Sequence, residues 1–321
     1  MSTYYQIFGG KVNVISADPS NPIEGQTWYN TTTEILKYRA ATTAGAWASG
    51  GNMGTARRSL AGAGTQTVGL AFGGFTTTNL ANTEEYDGTS WSAGGNLTTA
   101  KRELGGAGTQ TAGLAFGGFT TANTNATEEY NGTSWTAGGN LGTARRALAG
   151  AGTQTVGLGF GGYTTANSNA TEEYNGTSWS AGGNLVTARE ALAGAGTQTA
   201  GLGFGGLVGT TSQSVTEEYN GASWTAGGNL TTARRFLGGA GTQTSALAFG
   251  GTTGSNSAAT EEYNGTSWSA GGNLTTARSS LGGAGTQTSA LAFAGITTVN
   301  VTATEEYSGA GTLTTKTVTA T

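Results

Sequence analysis

The sequence predicts an all-β protein assembled from one sheet-forming unit written six times. Three observations carry that expectation. First, Trp47, Trp91, Trp135, Trp179, Trp224 and Trp268 follow one another at steps of 44 or 45 residues. Tyr86, Tyr130, Tyr174, Tyr219, Tyr263 and Tyr307 keep the same step, as do Arg57, Lys101, Arg145, Arg189, Arg234 and Arg278. Such a period belongs to propeller blades or to helical solenoid units, and local pattern decides between them. Second, the apolar segments "TVGLAFGG" (Thr67 to Gly74) and "TSALAFGG" (Thr244 to Gly251) are short, bounded by Gly, and lack an i, i+3, i+4, i+7 stripe. Helix is a poor candidate. Third, the two ends hold complementary fragments of a unit: Tyr307 has no Trp after it, and Trp47 has no matching Tyr before it.

From the N-terminus, "GQTWYNTTTEILKYR" (Gly25 to Arg39) alternates apolar and polar residues on either side of a polar turn, the pattern of a β-hairpin. Residues 1–42 are expected to form an attachment segment around it, and residues 43–321 a six-bladed β-propeller. Each repeat offers four strand-length pieces separated by Gly, Asn and Thr turns. In the second repeat these are "RELGGAG" near 102–108, "TAGLAFGG" at 111–118, "ATEEYNG" at 126–132 and "SWTAGGN" at 134–140. The second piece is apolar throughout, as for a strand buried on both faces. The first is made of Gly, Ala and Leu, small enough for an innermost strand where sheets crowd around an axis. Joining the chain ends completes the count at six: "AWASGGN" (Ala46 to Asn52) supplies the outer strand of the blade built from residues 278–307. Such a clasp removes open sheet edges. The loop between the second and third strands varies most, as exposed loops do.

The Gly pair closing an apolar strand, followed by Tyr, Trp and Arg, resembles the kelch repeat. Gly117-Gly118, Tyr130, Trp135 and Arg145 are these marks, and they recur from about residue 43 to 307. The resemblance implies a propeller of four-stranded blades. Two departures stand out, Ala294-Gly295 in place of a Gly pair and Lys101 in place of Arg. "PSNPIEGQTWYNTTTEILKY" (residues 19–38), together with units of the type "TEEYNGTSWT", is similar to segments of structural proteins in tailed bacteriophages, marine ones in particular. That likeness implies a virion protein.

Composition narrows the function classes. Charged residues make up 10% and the net charge is −4, so a nucleic-acid partner is not expected. No Cys and no His are present, which removes disulfides, thiolate metal sites and the usual proton shuttle. No cofactor and no metal are expected. No apolar run is long enough to span a bilayer, and "MSTYYQIFGGKVNV" lacks the form of a secretory signal. A soluble chain without membrane insertion is the expectation. The repeated "NGT" and "NLT" triplets are expected to be turn chemistry, with no glycosylation.

The candidate chemistry is sparse. The Glu pairs Glu84-Glu85, Glu128-Glu129, Glu172-Glu173, Glu217-Glu218, Glu261-Glu262 and Glu305-Glu306 put adjacent carboxylates on opposite strand faces. They cannot make a two-carboxylate glycosidase site within one strand. The expected arrangement is one Glu paired with the repeat Arg and the other solvated. An arginine cluster of the sialidase type would need an acid, a Tyr–Glu pair and Asp-box turns, which "YNGTSW" matches only loosely. Copper chemistry of the galactose oxidase type needs His and Cys. The Gly-rich "GGAGTQT" (Gly105 to Thr111) lacks the Lys-Ser/Thr ending of a phosphate loop and is expected to be a turn between strands. The repeat Trp and Tyr rows are expected to fill the wedges between sheets. Tyr163 and Phe236 lie outside that frame and are candidates for stacking on a sugar. The residue after the repeat Arg varies: Arg58, Arg102, Arg146, Glu190, Arg235 and Ser279. On a propeller rim these make a mildly basic, asymmetric surface, the first place to look for a ligand.

The functional expectation is a non-enzymatic phage structural protein in a tail fibre, appendage or surface decoration. It would be assembled in the bacterial host cytoplasm and present in several copies per particle. Residues 1–42 would fasten it to other virion proteins, and the propeller would face a host-surface glycan or protein receptor. A purely architectural propeller and a glycan-cleaving enzyme are the alternatives.

Overall fold

The computed structural model describes residues 3–7, 10–20, 22, 25–41, 45–310 and 313–318, which are all-β with no helix among them. The chain divides into two units, residues 1–46 with 308–321, and residues 47–307. The division expected between 42 and 43 falls outside the described residues. The return of the C-terminal residues to the first unit differs from the expected span of 43–321, because Leu313–Thr317 pairs antiparallel with Ile35–Ala41.

The first unit is one five-stranded sheet in the order Thr3–Ile7, Gly10–Ile15, Thr27–Asn30, Ile35–Ala41, Leu313–Thr317. Thr27–Asn30 and Ile35–Ala41 form the expected hairpin, with Trp28 opposite Lys37. Its turn is held by Asn30 Oδ1, which accepts from the backbone N–H of Thr32 and Thr33 at 3.0 and 3.1 Å, and Glu34 completes it at φ +58°. Gly10–Ile15 runs parallel to Thr27–Asn30, so the chain between them crosses over. Asp18 on that crossover accepts from Trp28 Nε1 at 3.0 Å, Asn30 Nδ2 at 2.8 Å and Lys37 Nζ at 2.5 Å. These donors, Asn30 first, hold its carboxyl down at about 2.

The second unit holds six four-stranded sheets, consistent with a β-propeller. The second repeat is representative: Gly105–Gly108, Gly113–Phe116, Thr127–Tyr130 and Trp135–Ala137 pair antiparallel in sequence order. The second strand is buried at every residue, as its unbroken apolar run predicts. In the sheet begun by Gly282–Gly285, the fourth strand is Ala46–Ser49, beside Thr304–Ser308. Trp47 sits 5.0 Å from Tyr307, ring centre to ring centre.

Each sheet packs against the preceding one through apolar and polar groups together. Between the first and second repeats, Phe72, Leu70 and Ala61 meet Trp135, Tyr130 and Leu104. Trp135 Nε1 donates to Thr83 Oγ1 at 2.9 Å, Tyr130 Oη to Glu85 Oε1 at 2.5 Å, and Gln110 Nε2 to Gly69 and Tyr86 carbonyls at 3.0 and 2.8 Å. The same bonds join the first sheet to the last: Trp91 to Thr304, Tyr86 to Glu306, and Gln66 to the Ala290 and Tyr307 carbonyls. The outer Glu of each pair, expected to be solvated, therefore carries an inter-sheet bond. Strand alternation shows which way it points, but not the Tyr hydroxyl waiting on the neighbouring sheet.

These tyrosines make the fold sensitive to alkali. Burial first, then the carboxylate each donates to, pushes Tyr86, Tyr130, Tyr174, Tyr219 and Tyr263 up to about 12 from an ordinary 10.0, and Tyr307 is also raised. Unfolded chains lose these protons near the ordinary value while the folded one keeps them. The stabilisation is complete below pH 10.0 and falls as pH rises towards 12. Urea midpoints followed across that interval are expected to drop steeply, and Tyr130→Phe to shallow the slope.

The innermost strands carry Gly at their second position for a steric reason. A Cβ on Gly150 would lie 2.4 Å from the carbonyl oxygen of Gly106 on the adjacent sheet. Gly150→Ala must push two backbones apart, and a loss of about 1–3 kcal/mol in chemical denaturation is expected. The Gly pairs close the second strands for a different reason. Gly118 sits at φ +104°, outside the left-handed region open to other residues, whereas Gly117 sits at φ +62°, inside it. Ala294, at φ +57°, replaces a Gly of the second kind.

Candidate functional site

The charged residues of the repeats fall into three sets. The repeat cations are fully buried and each pairs with the inner Glu of its own sheet: Arg57 with Glu84 at 3.1 Å, Lys101 with Glu128 at 3.0 Å, Arg145 with Glu172 at 3.1 Å, Arg234 with Glu261 at 2.9 Å and Arg278 with Glu305 at 3.1 Å. Arg189 pairs likewise with Glu217. Burial pulls the cations down, Arg57 to about 10, and the paired carboxylate opposes the fall. The outer Glu residues take the Tyr hydroxyls. What remains is Asp87, Glu103 and the varied residues beside the repeat Arg or Lys.

Asp87 is a turn residue: its carboxylate accepts from the backbone N–H of Ser90 and Thr89, which lowers its pKa. Asn131, Asn175, Asn220 and Asn264 do the same in the other repeats with a neutral amide. The loose Asp-box likeness of "YNGTSW" is therefore turn chemistry. "GGAGTQT" contains the innermost strand Gly105–Gly108 and its turn, closed by Thr109 N–H to Ala112 C=O at 2.9 Å.

The varied residues gather at one end of the innermost strands. Three stacked cavities of about 90, 160 and 160 Å³ share lining residues, two of them walled by Gly and Ala of the first strands. The 90 Å³ cavity is the mouth. Its walls are Leu60, Leu104, Leu148, Leu192, Leu237 and Leu281, and its rim is Ser59, Glu103, Ala147, Ala191, Phe236 and Ser280. All six rim residues lie at φ +51° to +55°, a conformation that costs a non-Gly residue about 1 kcal/mol or more. Their backbones form a circuit in which each N–H donates to the preceding rim carbonyl: Glu103 to Ser59, Ala147 to Glu103, Ala191 to Ala147, Phe236 to Ala191, Ser280 to Phe236 and Ser59 to Ser280, at 2.7–2.8 Å.

Around this rim stand Arg58, Arg102, Arg146, Glu190, Arg235 and Ser279. Each bridges to the first residue of the variable loop of its own repeat, Arg58 to Phe75, Arg102 to Phe119, Arg146 to Tyr163, Arg235 to Thr252. The variable loops and the varied rim are one surface. Three Arg and three aromatic residues alternate in a ladder: Arg58 and Arg102 over Phe75 at 4.9 and 4.6 Å, Arg102 and Arg146 over Phe119 at 4.7 and 5.3 Å, Arg146 over Tyr163 at 4.7 Å. Cation–π contacts hold these guanidinium planes in place. The Tyr163 ring is thus engaged by Arg146, and Phe236 faces the mouth.

Charge is uneven around the rim. Glu103 pairs with Arg146 at 3.1 Å and with Arg102 at 3.8 Å. Glu190 stands near both Arg146 and Glu103. Its pKa is raised, by burial first, with Arg146 opposing and Glu103 adding to the rise. Arg58 and Arg235 instead donate to neutral groups, Asn300 Oδ1 at 2.9 Å and Ser212 Oγ at 3.0 Å. The importance of Glu103, Phe75 and Phe119 was not evident from the repeat marks, although the position two after the repeat Arg reads Ser, Glu, Ala, Ala, Phe, Ser. Among the described residues, no group of three or more His, Cys, Asp or Glu is placed to hold a metal ion. No protein-family model matches the chain, and no curated protein matches it either.

Proposed function

We propose that the chain is a kelch-like β-propeller of six blades, closed into a ring, that serves as a non-enzymatic binding and display module. The rim circuit supports closure, because its six hydrogen bonds pass through every repeat and return to Ser59. The inner Glu residues are consumed by buried pairs and the outer ones by Tyr hydroxyls, which leaves none of the six repeated Glu pairs free for chemistry. The mouth is the ligand surface. One observation carries this: near-identical repeats diverge there, and every cation of residues 47–307 outside the buried pairs, Arg58, Arg102, Arg146 and Arg235, stands on that ring.

The biological setting rests on the sequence resemblance alone. It makes the chain a phage virion protein of a tail fibre, appendage or surface decoration, carried in several copies. Its N-terminal residues fasten it to other virion proteins, and its propeller meets a host-surface glycan or protein. Repetition over copies would raise weak contacts to useful avidity. The test has two parts. A density map of an intact particle must contain this chain on its exterior. Purified chain added to host cells must compete with particle adsorption, and an Arg58→Glu, Arg235→Glu chain must not. Normal adsorption with the intact chain in excess favours a purely architectural propeller.

One observation favours a second reading as a sugar-cleaving enzyme: Glu103 and Glu190 are two carboxylates beside the same Arg146, and one has a raised pKa. That reading requires turnover of a glycan and its loss in both Glu103→Gln and Glu190→Gln.

A further inference from the structure

Among the described residues, twenty-five positive-φ positions are Gly and eight are not, and six of those eight are the rim residues. The chain places Gly at most of its positive-φ positions, yet here it keeps side chains. The hydrogen-bond circuit uses only backbone groups, so Gly would complete it equally well and with less strain. The side chains must therefore answer to something other than the backbone, and all six border the mouth cavity.

The cavity has a definite character. Six Leu residues wall it with Ala147, Ala191 and Phe236, and the backbone groups of the rim share the exposed lining. About 90 Å³ of it is open to the centre of a water molecule, several times the space that one water needs on that measure. That accommodates one branched aliphatic side chain. The surroundings are polarised. Arg102, Glu103, Arg146 and Glu190 contain two cations and two anions and compensate one another. Arg58 and Arg235 have neutral partners, Asn300 and Ser212, and flank the repeat that contributes Ser279 and Ser280. The uncompensated positive charge thus lies on one arc, with Ser280 between the two Arg and Phe236 next to one of them.

Resting on the reading of the mouth as the ligand surface, we infer that its occupant is an acidic protein segment. One aliphatic side chain enters the Leu-walled cup, and flanking carboxylates bond to Arg58 and Arg235 across Ser280. A polyanionic glycan would satisfy the two Arg but leave the apolar cup unfilled. A neutral apolar peptide would fill the cup but leave the charge arc unanswered. Acid and aliphatic groups a residue or two apart satisfy both.

The test uses the full chain and a fluorescein-labelled peptide with one leucine between two pairs of glutamates, followed by anisotropy. Comparison peptides replace the leucine with serine or the glutamates with lysines, and polygalacturonate serves as the glycan probe. Saturable binding of the leucine peptide is expected, about tenfold or more weaker for the serine peptide, and absent for the lysine peptide. Arg58→Glu and Arg235→Glu should each weaken it by about tenfold or more, with Arg102→Gln changing it far less. Ala191→Leu should block the cup; Phe236 shows that the rim backbone admits a bulky side chain, and an unchanged melting temperature would confirm that each variant folds. Equal binding of the leucine and serine peptides would overturn the inference, as would indifference to Arg58→Glu and Arg235→Glu. Polygalacturonate binding lost in those variants, without peptide binding, would also overturn it while leaving the mouth a ligand surface. Absence of any binding overturns it too, and adsorption competition then judges the wider reading separately.

Discussion

Arg145→Met is expected to destabilise the repeat unit by about 3–5 kcal/mol, read as a lowered urea midpoint. Arg145 is fully buried before the first strand of its sheet. Its Nη1 donates to the Gly161 and Ala170 carbonyls at 3.1 and 2.5 Å, and its Nη2 to the Gly159 carbonyl at 3.3 Å and Glu172 Oε1 at 3.1 Å. Glu172 also accepts from the Gly142 N–H at 2.6 Å. Methionine fills much of the volume but leaves a buried carboxylate uncompensated and three carbonyls short of a donor. The cost comes mainly from that stranded charge, so adding Glu172→Gln should recover a large part of it. Arg145→Lys should cost much less. Lys101 already occupies the equivalent place, bonding Glu128 at 3.0 Å and the Ala126 carbonyl at 3.5 Å.

Trp135→Ala is expected to lose about 3–5 kcal/mol while leaving ligand binding at the mouth unchanged. The indole is buried between the first and second repeats, 4.9 Å from the Phe72 ring centre and 4.9 Å from that of Tyr130. Its removal opens a cavity and leaves the Thr83 hydroxyl, which accepts from Nε1, without that partner. Trp135→Phe retains most of the packing and should lose about 1–3 kcal/mol, chiefly through the orphaned hydroxyl. Pairing it with Thr83→Val, which removes both polar groups, should restore part of the loss. Trp91 and Trp179 are less buried, and their Ala variants should lose less. A Trp135→Ala chain of normal stability that no longer binds ligand would move this side chain from the wedge to the site.

Much of the architecture is legible in the sequence because the repeat states it six times. The short apolar run of "GLAF" between Gly residues can only be a buried strand, and the recurrence of Trp, Tyr and Arg at one phase marks a common frame. What lies across from a residue is harder to read. Glu85 and Tyr130 are 45 residues apart, and nothing local says that they meet. Leu313–Thr317 is Thr-rich, as strands often are, but nothing local names its partner Ile35–Ala41, which is far away in sequence. The mouth was half legible. Variation after the repeat Arg pointed to a rim, and the structure brings Arg58, Arg102, Arg146, Arg235, Phe236 and Tyr163 to that one end. The left-handed turn of the rim was invisible, since Ser, Glu, Ala and Phe do not announce positive φ as Gly and Asn do. The ladder was hidden for a related reason: Phe75 and Phe119 sit in loops whose sequence drift reads only as exposure.

The placement of Ala46–Ser49 beside Thr304–Ser308 has a consequence for biosynthesis. Trp47 leaves the ribosome some 260 residues before Tyr307, so at ordinary elongation rates its seat is missing for roughly 13–50 s. Five sheets can assemble on the nascent chain in that interval, each leaning on its predecessor, while Ala46–Ser49 waits unpaired. Completion is therefore a single late event after translation, and chains terminated before the final repeat keep that strand as a sticky end for chaperones or proteases.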